Sequence, residues 1–118
     1  MNKIKQDASQ DMLVLNKVFD MLDYVSARVI LIEKTSVGER YSVSRGKDIA
    51  YVYMTNTYAT INVYCDGNMI LRRIVPATDG KDVKDALDSL RGRLVSKSKI
   101  CASITKTEAL SLQNNKQY

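Results

Sequence analysis

Residues 49–66 have the sequence IAYVYMTNTYATINVYCD, and this stretch decides the fold. On either side of Asn56 the side chains alternate with a period of two, which is typical of strands whose two faces differ. Strands joined by so short a turn pair as antiparallel neighbours. The aliphatic face suits a helix-covered core, and the tyrosine face then points away from it. The core set is Ala50, Val52, Met54, Ala59, Ile61, Val63 and Cys65; the outer set is Ile49, Tyr51, Tyr53, Tyr58, Thr60, Asn62 and Tyr64.

Three more segments have the composition of strands. Residues 27–35 are β-branched and apolar on both faces at their centre, which predicts a central strand. Residues 39–45 alternate in the same way as the first two strands. Residues 69–75 stop at a proline, and their adjacent Arg72 and Arg73 must point to opposite faces. We therefore expect this last strand to lie at an edge of the sheet.

Two segments have the periodicity of amphipathic helices. Residues 8–25 form the first, with the apolar stripe Met12, Leu15, Val18, Phe19, Leu22 and Val25. The second begins at Thr78 or Asp79, with acids early and bases late, as the helix dipole favours. Its stripe is Val83, Ala86, Leu87, Leu90 and Leu94. Residues 99–105 alternate again and predict a further strand, followed by a short helix.

This order of elements predicts an α+β fold, a two-layer sandwich in which two main helices cover one face of an antiparallel sheet of about five strands. The 118 residues correspond to one domain, 1–118, with flexible ends at 1–6 and 113–118. No secretory signal and no apolar run near the ~20 residues of a membrane span is visible. We expect a soluble, cytoplasmic protein with no membrane association.

The composition argues against catalysis. The chain has no histidine, which removes Ser-His-Asp and Cys-His nucleophiles and every histidine-ligated metal site. Its two cysteines, Cys65 and Cys101, form no C-x-x-C pair and are expected to be free thiols. No glycine-rich phosphate loop is present. We expect a protein that is not an enzyme, with no cofactor, no metal and no small-molecule substrate.

The tyrosines of the two central runs are the leading candidates for a binding surface. Tyr51, Tyr53, Tyr58 and Tyr64 fall on one predicted face, and exposed aromatic patches usually mark interfaces. Aromatic pairs across strands also stabilise a sheet, which is the plainer explanation for any single ring. We expect a protein-binding adaptor, chaperone or inhibitor, with Arg40 and Arg45 at the rim. Its partner is a protein of unknown identity or a second copy of the chain.

The distribution of charge supports an alternative. The net charge is +5, and the sheet region 26–75 carries seven bases against four acids. Aromatic rings interleaved with bases on an open sheet are typical of single-strand nucleic-acid binders. In that hypothesis the tyrosines stack on bases and other side chains meet phosphates. Those side chains are Arg28, Arg72, Arg73, Lys97 and Lys99.

Overall fold

A computed structural model describes the backbone of residues 2–116 and the side chains of residues 9–98. The helices are α1 (Asn2–Leu22), a short 3₁₀ helix (Ala77–Asp79) and α2 (Lys81–Lys116). The strands are β1 (Arg28–Lys34), β2 (Gly38–Arg45), β3 (Asp48–Thr55), β4 (Tyr58–Cys65) and β5 (Asn68–Pro76). All five strands form one sheet in chain order, and every neighbouring pair is antiparallel. The predicted α+β fold is confirmed.

The two helices cover one face of the sheet, and the core lies between the layers. Val14, Leu15, Val18, Met21 and Leu22 of α1 are buried there. The stripe of α2 is buried as predicted, at Val83, Leu87, Leu90 and Leu94. The sheet contributes Val29, Tyr41, Val43, Ala50, Val52, Met54, Ala59, Ile61, Val63 and Val75. The alternation in residues 49–66 therefore identified the core face correctly.

Short turns join the strands and explain why their order follows the chain. Asp66 and Gly67 adopt positive φ angles of 53° and 85°, as a tight hairpin turn requires. At the opposite end of the sheet, a threonine hydroxyl organises each of two turns. The Thr35 hydroxyl accepts the N–H of Gly38 and donates to its carbonyl, both at 3.1 Å. Thr55 makes the same two bonds with Tyr58, both at 3.0 Å.

The first helix is displaced along the chain from its predicted bounds of 8–25. It begins at Asn2 and ends at Leu22, where the Tyr24 N–H reaches the Met21 carbonyl at 3.3 Å and tightens the last turn. Val25 therefore lies in the following loop and is fully exposed, so its predicted place in the core is wrong. Val25 follows Leu22 at helical spacing, but the helix has already ended, so this spacing does not reflect helical structure.

Strand β1 lies at an edge of the sheet, so its predicted central position is wrong. In a meander of hairpins the first strand has a neighbour on one side only. Only Val29 of this strand is buried, while Ile30, Leu31 and Ile32 are 36%, 37% and 49% exposed. The edge position predicted for residues 69–75 is confirmed by β5.

The predicted strand at 99–105 is also wrong, because α2 continues without a break through Lys116. No glycine or proline follows Gly92 to end the helix, and the single short alternation over residues 99–105 does not override that continuity. The short 3₁₀ helix, with Gly80 at a φ of 133°, separates β5 from α2. The expectation of flexible ends at 1–6 and 113–118 lies outside the side chains that the structure describes. Within the described backbone, neither helix is both long and apolar enough to cross a bilayer.

Candidate functional site

The sheet surface away from the helices is the candidate site, and we call it the open face. Strand register places residues in rows across it. Tyr51 lies between Ser42 and Asn62, and Tyr53 lies between Arg40 and Thr60. Tyr51, Tyr53, Tyr58 and Tyr64 all belong to this face, and each ring is half-buried. The structure thus brings together all four tyrosines that the sequence predicted as anchors.

The four rings form two edge-to-face pairs. The centroids of Tyr51 and Tyr64 are 5.8 Å apart with planes at 81°, and those of Tyr53 and Tyr58 are 6.5 Å apart with planes at 61°. Both pairs are diagonal neighbours across β3 and β4, close enough for aromatic rings to touch. Such pairs contribute about 0.5–1.5 kcal/mol beyond their buried area and restrict ring rotation. The tyrosine side chains are therefore preorganised in the free protein.

Aliphatic side chains on the two edge strands extend this aromatic surface, and sequence reasoning missed them. Ile74 of β5 lies opposite Thr60 and is 64% exposed, and Met69 lies opposite Tyr64 and is also exposed. Ile30 of β1 lies on the same face at the other edge, opposite Ser42. The alternation that places the tyrosines also places Ile30 and Ile74 once the edge strands are recognised. Met69 reaches this face through a shift of register in the β4–β5 ladder, which the alternation alone does not predict.

The two arginines expected at the rim lie on different sides of the sheet. The guanidinium carbon of Arg40 is 5.0 Å from the Tyr53 ring centroid, and its Nε is 3.6 Å from the Glu33 carboxylate on the open face. Arg45 lies on the helix side instead. It is paired with Asp48 at 2.8 Å and placed 4.1 Å from the ring centroid of Tyr24. Only Arg40 joins the tyrosines.

The basic side chains of the nucleic-acid alternative do not form one surface. Arg28 and Arg72 lie on the open face at opposite edges. Arg73 points to the helix side, where its Nε is 2.5 Å from the Asp11 carboxylate. Lys97 donates to the Leu22 carbonyl at 2.7 Å and so caps the end of α1. The side chain of Lys99 lies outside the described residues.

The ion pair beneath the helices contains a perturbed carboxyl group. Asp11 is fully buried, and burial together with a hydrogen bond to Asp79 raises its pKa from 3.8 to about 6, against the lowering effect of Arg73. Its Oδ2 is buried without an ordinary hydrogen-bond donor among the described side chains.

Cys65 is a free thiol, as predicted, and the side chain of Cys101 lies outside the described residues. A hydrogen bond to the Asp48 carboxylate raises the pKa of the Cys65 thiol, and the same bond, together with one from Arg45, lowers the pKa of Asp48. The neutral thiol is a poor nucleophile. Among the side chains of residues 9–98, no three His, Cys, Asp or Glu residues cluster to hold a metal ion.

One depression on the described surface belongs to the helix layer. It measures about 410 Å³ and lies between the start of α1 and the start of α2, where Ser9, Met12 and Asp79 contribute to its walls. It is remote in the fold from the open face. Comparison with protein-family models, with curated proteins and with solved structures finds no match for this chain.

Proposed function

We propose that the chain is a non-catalytic protein-binding module, an adaptor, chaperone or inhibitor, that contacts its partner through the open face. This proposal depends on one observation: two edge-to-face tyrosine pairs lie on the sheet face opposite the one that the described parts of α1 and α2 cover. Tyrosine rings that are already oriented supply a large contact area at low entropic cost, which is why they dominate interface energetics. Tyr51, Tyr53, Tyr58 and Tyr64 are the anchors of this surface.

Several features of the open face favour a protein partner over a nucleic acid. Ile30, Met69 and Ile74 surround the rings with exposed aliphatic surface, which a protein interface buries and a phosphate backbone does not. Arg73 and Lys97 are engaged on the helix side, so the bases proposed for phosphate contact are divided between the two layers.

The charges at the margin indicate the chemistry of the partner. Arg28 and Arg72 stand at opposite edges of the open face, while Glu33, beside Arg40, contributes an acid. A matching protein surface has an apolar centre and carboxylates at its margin, because opposite charges at a rim steer the encounter and fix orientation.

The experiment that tests this proposal removes one ring from each pair. The tagged wild-type chain captures its partner from an extract of the source cells, and the partner is identified by mass spectrometry, purified and titrated by calorimetry. The double variant Tyr58→Ala/Tyr64→Ala should weaken binding at least about a hundredfold, because each anchor contributes about 2 kcal/mol or more at an interface hot spot. Its circular dichroism should show the native fold.

Two further variants sharpen the result. Ile74→Lys adds a charge to the open face at a position that is 64% exposed, so it should abolish binding without affecting folding. Tyr24→Ala removes an exposed tyrosine that contacts Arg45 on the helix side, and binding should be unchanged. Unchanged affinity in both the double variant and Ile74→Lys would contradict the proposal, as would failure of the wild-type chain to capture any protein.

A further inference from the structure

The outer edge of β1 is a second candidate for interaction, distinct from the tyrosines of the open face. Strand β1 pairs with β2 on one side and has no strand on the other among the described residues. Its segment 29–32 is wholly aliphatic, and three of these four residues are exposed. Apolar edge strands with free backbone N–H and C=O groups are templates for adding another strand. The opposite edge, β5, ends at Pro76, which cannot donate to a ladder.

The register of β1 shows which strand fits this edge. Arg28 pairs with Ser44, Ile30 with Ser42 and Glu33 with Arg40, while Ile32 is bulged out of the ladder. Arg28, Ile30 and Glu33 therefore occupy successive positions on the open face. The order along this face is a base, an isoleucine and an acid. Two copies of β1 that run antiparallel therefore place the base of each opposite the acid of the other.

We propose that β1 is a self-association edge, at which a second copy of the chain adds its own β1 antiparallel around a two-fold axis at Ile30. In this arrangement Arg28 of each copy opposes Glu33 of the other, and the two Ile30 side chains meet on the axis. Leu31 of each copy opposes Val29 of the other on the helix side. The result is one ten-stranded sheet, and a two-fold interface closes without leaving β1 free.

The existing neighbours of Glu33 favour this pairing. Glu33 already lies 3.6 Å from the Nε of Arg40, and the second copy places Arg28 on its other side, so one acid stands between two bases. Like charges directly opposite each other on a sheet are destabilising and opposite charges are stabilising. A register shifted by one position places bases opposite each other at Arg28 and Lys34, or, in the other direction, leaves Arg28 opposite an apolar side chain, so only the proposed register pairs each Arg28 with a Glu33.

Sedimentation velocity over a concentration series is the first test. The wild-type chain should sediment as a dimer, at twice the monomer mass of 13.3 kDa, and dissociate on dilution. Arg28→Glu and Glu33→Arg should each raise the dimer dissociation constant at least about tenfold, because each places two like-charged pairs at the interface. The double variant Arg28→Glu/Glu33→Arg restores opposite charges across the interface and should recover most of the lost affinity, short of the wild type because the base then at position 33 lies beside Arg40. A wild-type monomer, an open-ended series of larger species, or a double variant weaker than both single variants would overturn the proposal.

A matched pair of lysine substitutions separates the two edges. Ile30→Lys places two ammonium groups together on the proposed axis and should give a folded monomer. Ile74→Lys lies on the open face of the other edge strand, is more exposed, and should leave the dimer intact. Equal dimerisation of both variants would also overturn the proposal. Since Ile74→Lys is expected to abolish partner binding, the self-association edge and the proposed function succeed or fail independently.

Discussion

At the scale of single residues, Asp11 shows how burial and charge compete. Its carboxyl group is buried beside Arg73, which favours ionisation, and beside Asp79, which opposes it. Burial is the largest effect and the pKa rises to about 6. The sequence indicated that Arg72 and Arg73 point to opposite faces of an edge strand, so one of them faces the helix layer. It could not identify the acid, because Asp11 is 62 residues away and no local pattern links them.

The pH dependence of stability tests this assignment. The native pKa of Asp11 is raised above the value of 3.8 in the unfolded chain, so its contribution is fully present below about pH 4 and is lost as pH rises through 6. Between pH 4 and 6.5 the free energy of unfolding of the wild type should fall by roughly 2 kcal/mol relative to Asp11→Asn, which cannot titrate. Urea denaturation at several pH values measures this difference.

The second variant for this measurement is Asp79→Asn. It removes the charge that raises the Asp11 pKa and should move the midpoint of the pH effect below 6, because the pull of Arg73 is then opposed by burial alone. Parallel stability curves for wild type and Asp11→Asn across the whole range would show that Asp11 does not titrate in this window.

At the scale of secondary structure, the sequence predicted hairpins well and helix limits poorly. Alternation and turn residues gave five strands within two residues of their observed ends, because period two and a glycine or proline are local signals. Two weak signals disagree over residues 99–105: a short alternation favours a strand, and the absence of any residue that ends a helix favours the continuation of α2. The structure shows the continuation. The edge position of β1 depends on strand order, which its own composition does not encode.

The threonine turns give a prediction at this scale. The Thr55 hydroxyl accepts the N–H groups of Thr57 and Tyr58 and donates to the Tyr58 carbonyl, and Thr55 is buried. Thr55→Val keeps the shape but leaves these backbone groups unsatisfied away from water, and should cost about 1–3 kcal/mol in the free energy of unfolding.

Thr35 provides a matched control for Thr55. It makes the equivalent bonds to Val37 and Gly38 at the neighbouring turn, but its side chain is exposed. Water can replace the lost hydroxyl there, so Thr35→Val should cost less than about 1 kcal/mol. Thermal or urea denaturation of both variants gives the comparison, and equal losses would mean that burial does not set the strength of these turns.

At the scale of the whole molecule, one pattern predicted both the fold and the candidate site. The two faces of residues 49–66 identified the core side and, by exclusion, the side that carries the tyrosines. The pattern in residues 49–66 could not predict how the basic side chains of the rest of the chain are distributed between the two faces of the sheet, because that distribution depends on the folded structure. Arg45, Arg73 and Lys97 all lie on the helix side, bound to groups distant from the tyrosines.

This division of charge predicts a weak response to nucleic acid. With a net charge of +5 the chain should bind an oligothymidine at low salt by general attraction, and the affinity should fall to nothing as salt rises to roughly 200 mM, since few phosphates can be contacted at once. If the attraction is purely one of charge, Tyr58→Ala/Tyr64→Ala should bind the oligonucleotide as the wild type does, because neither substitution changes the net charge. Fluorescence anisotropy at two salt concentrations measures both effects. Binding that persists at the higher salt and requires Tyr58 and Tyr64 would instead mean that the rings stack on bases, and the open face would then be a single-strand binding surface.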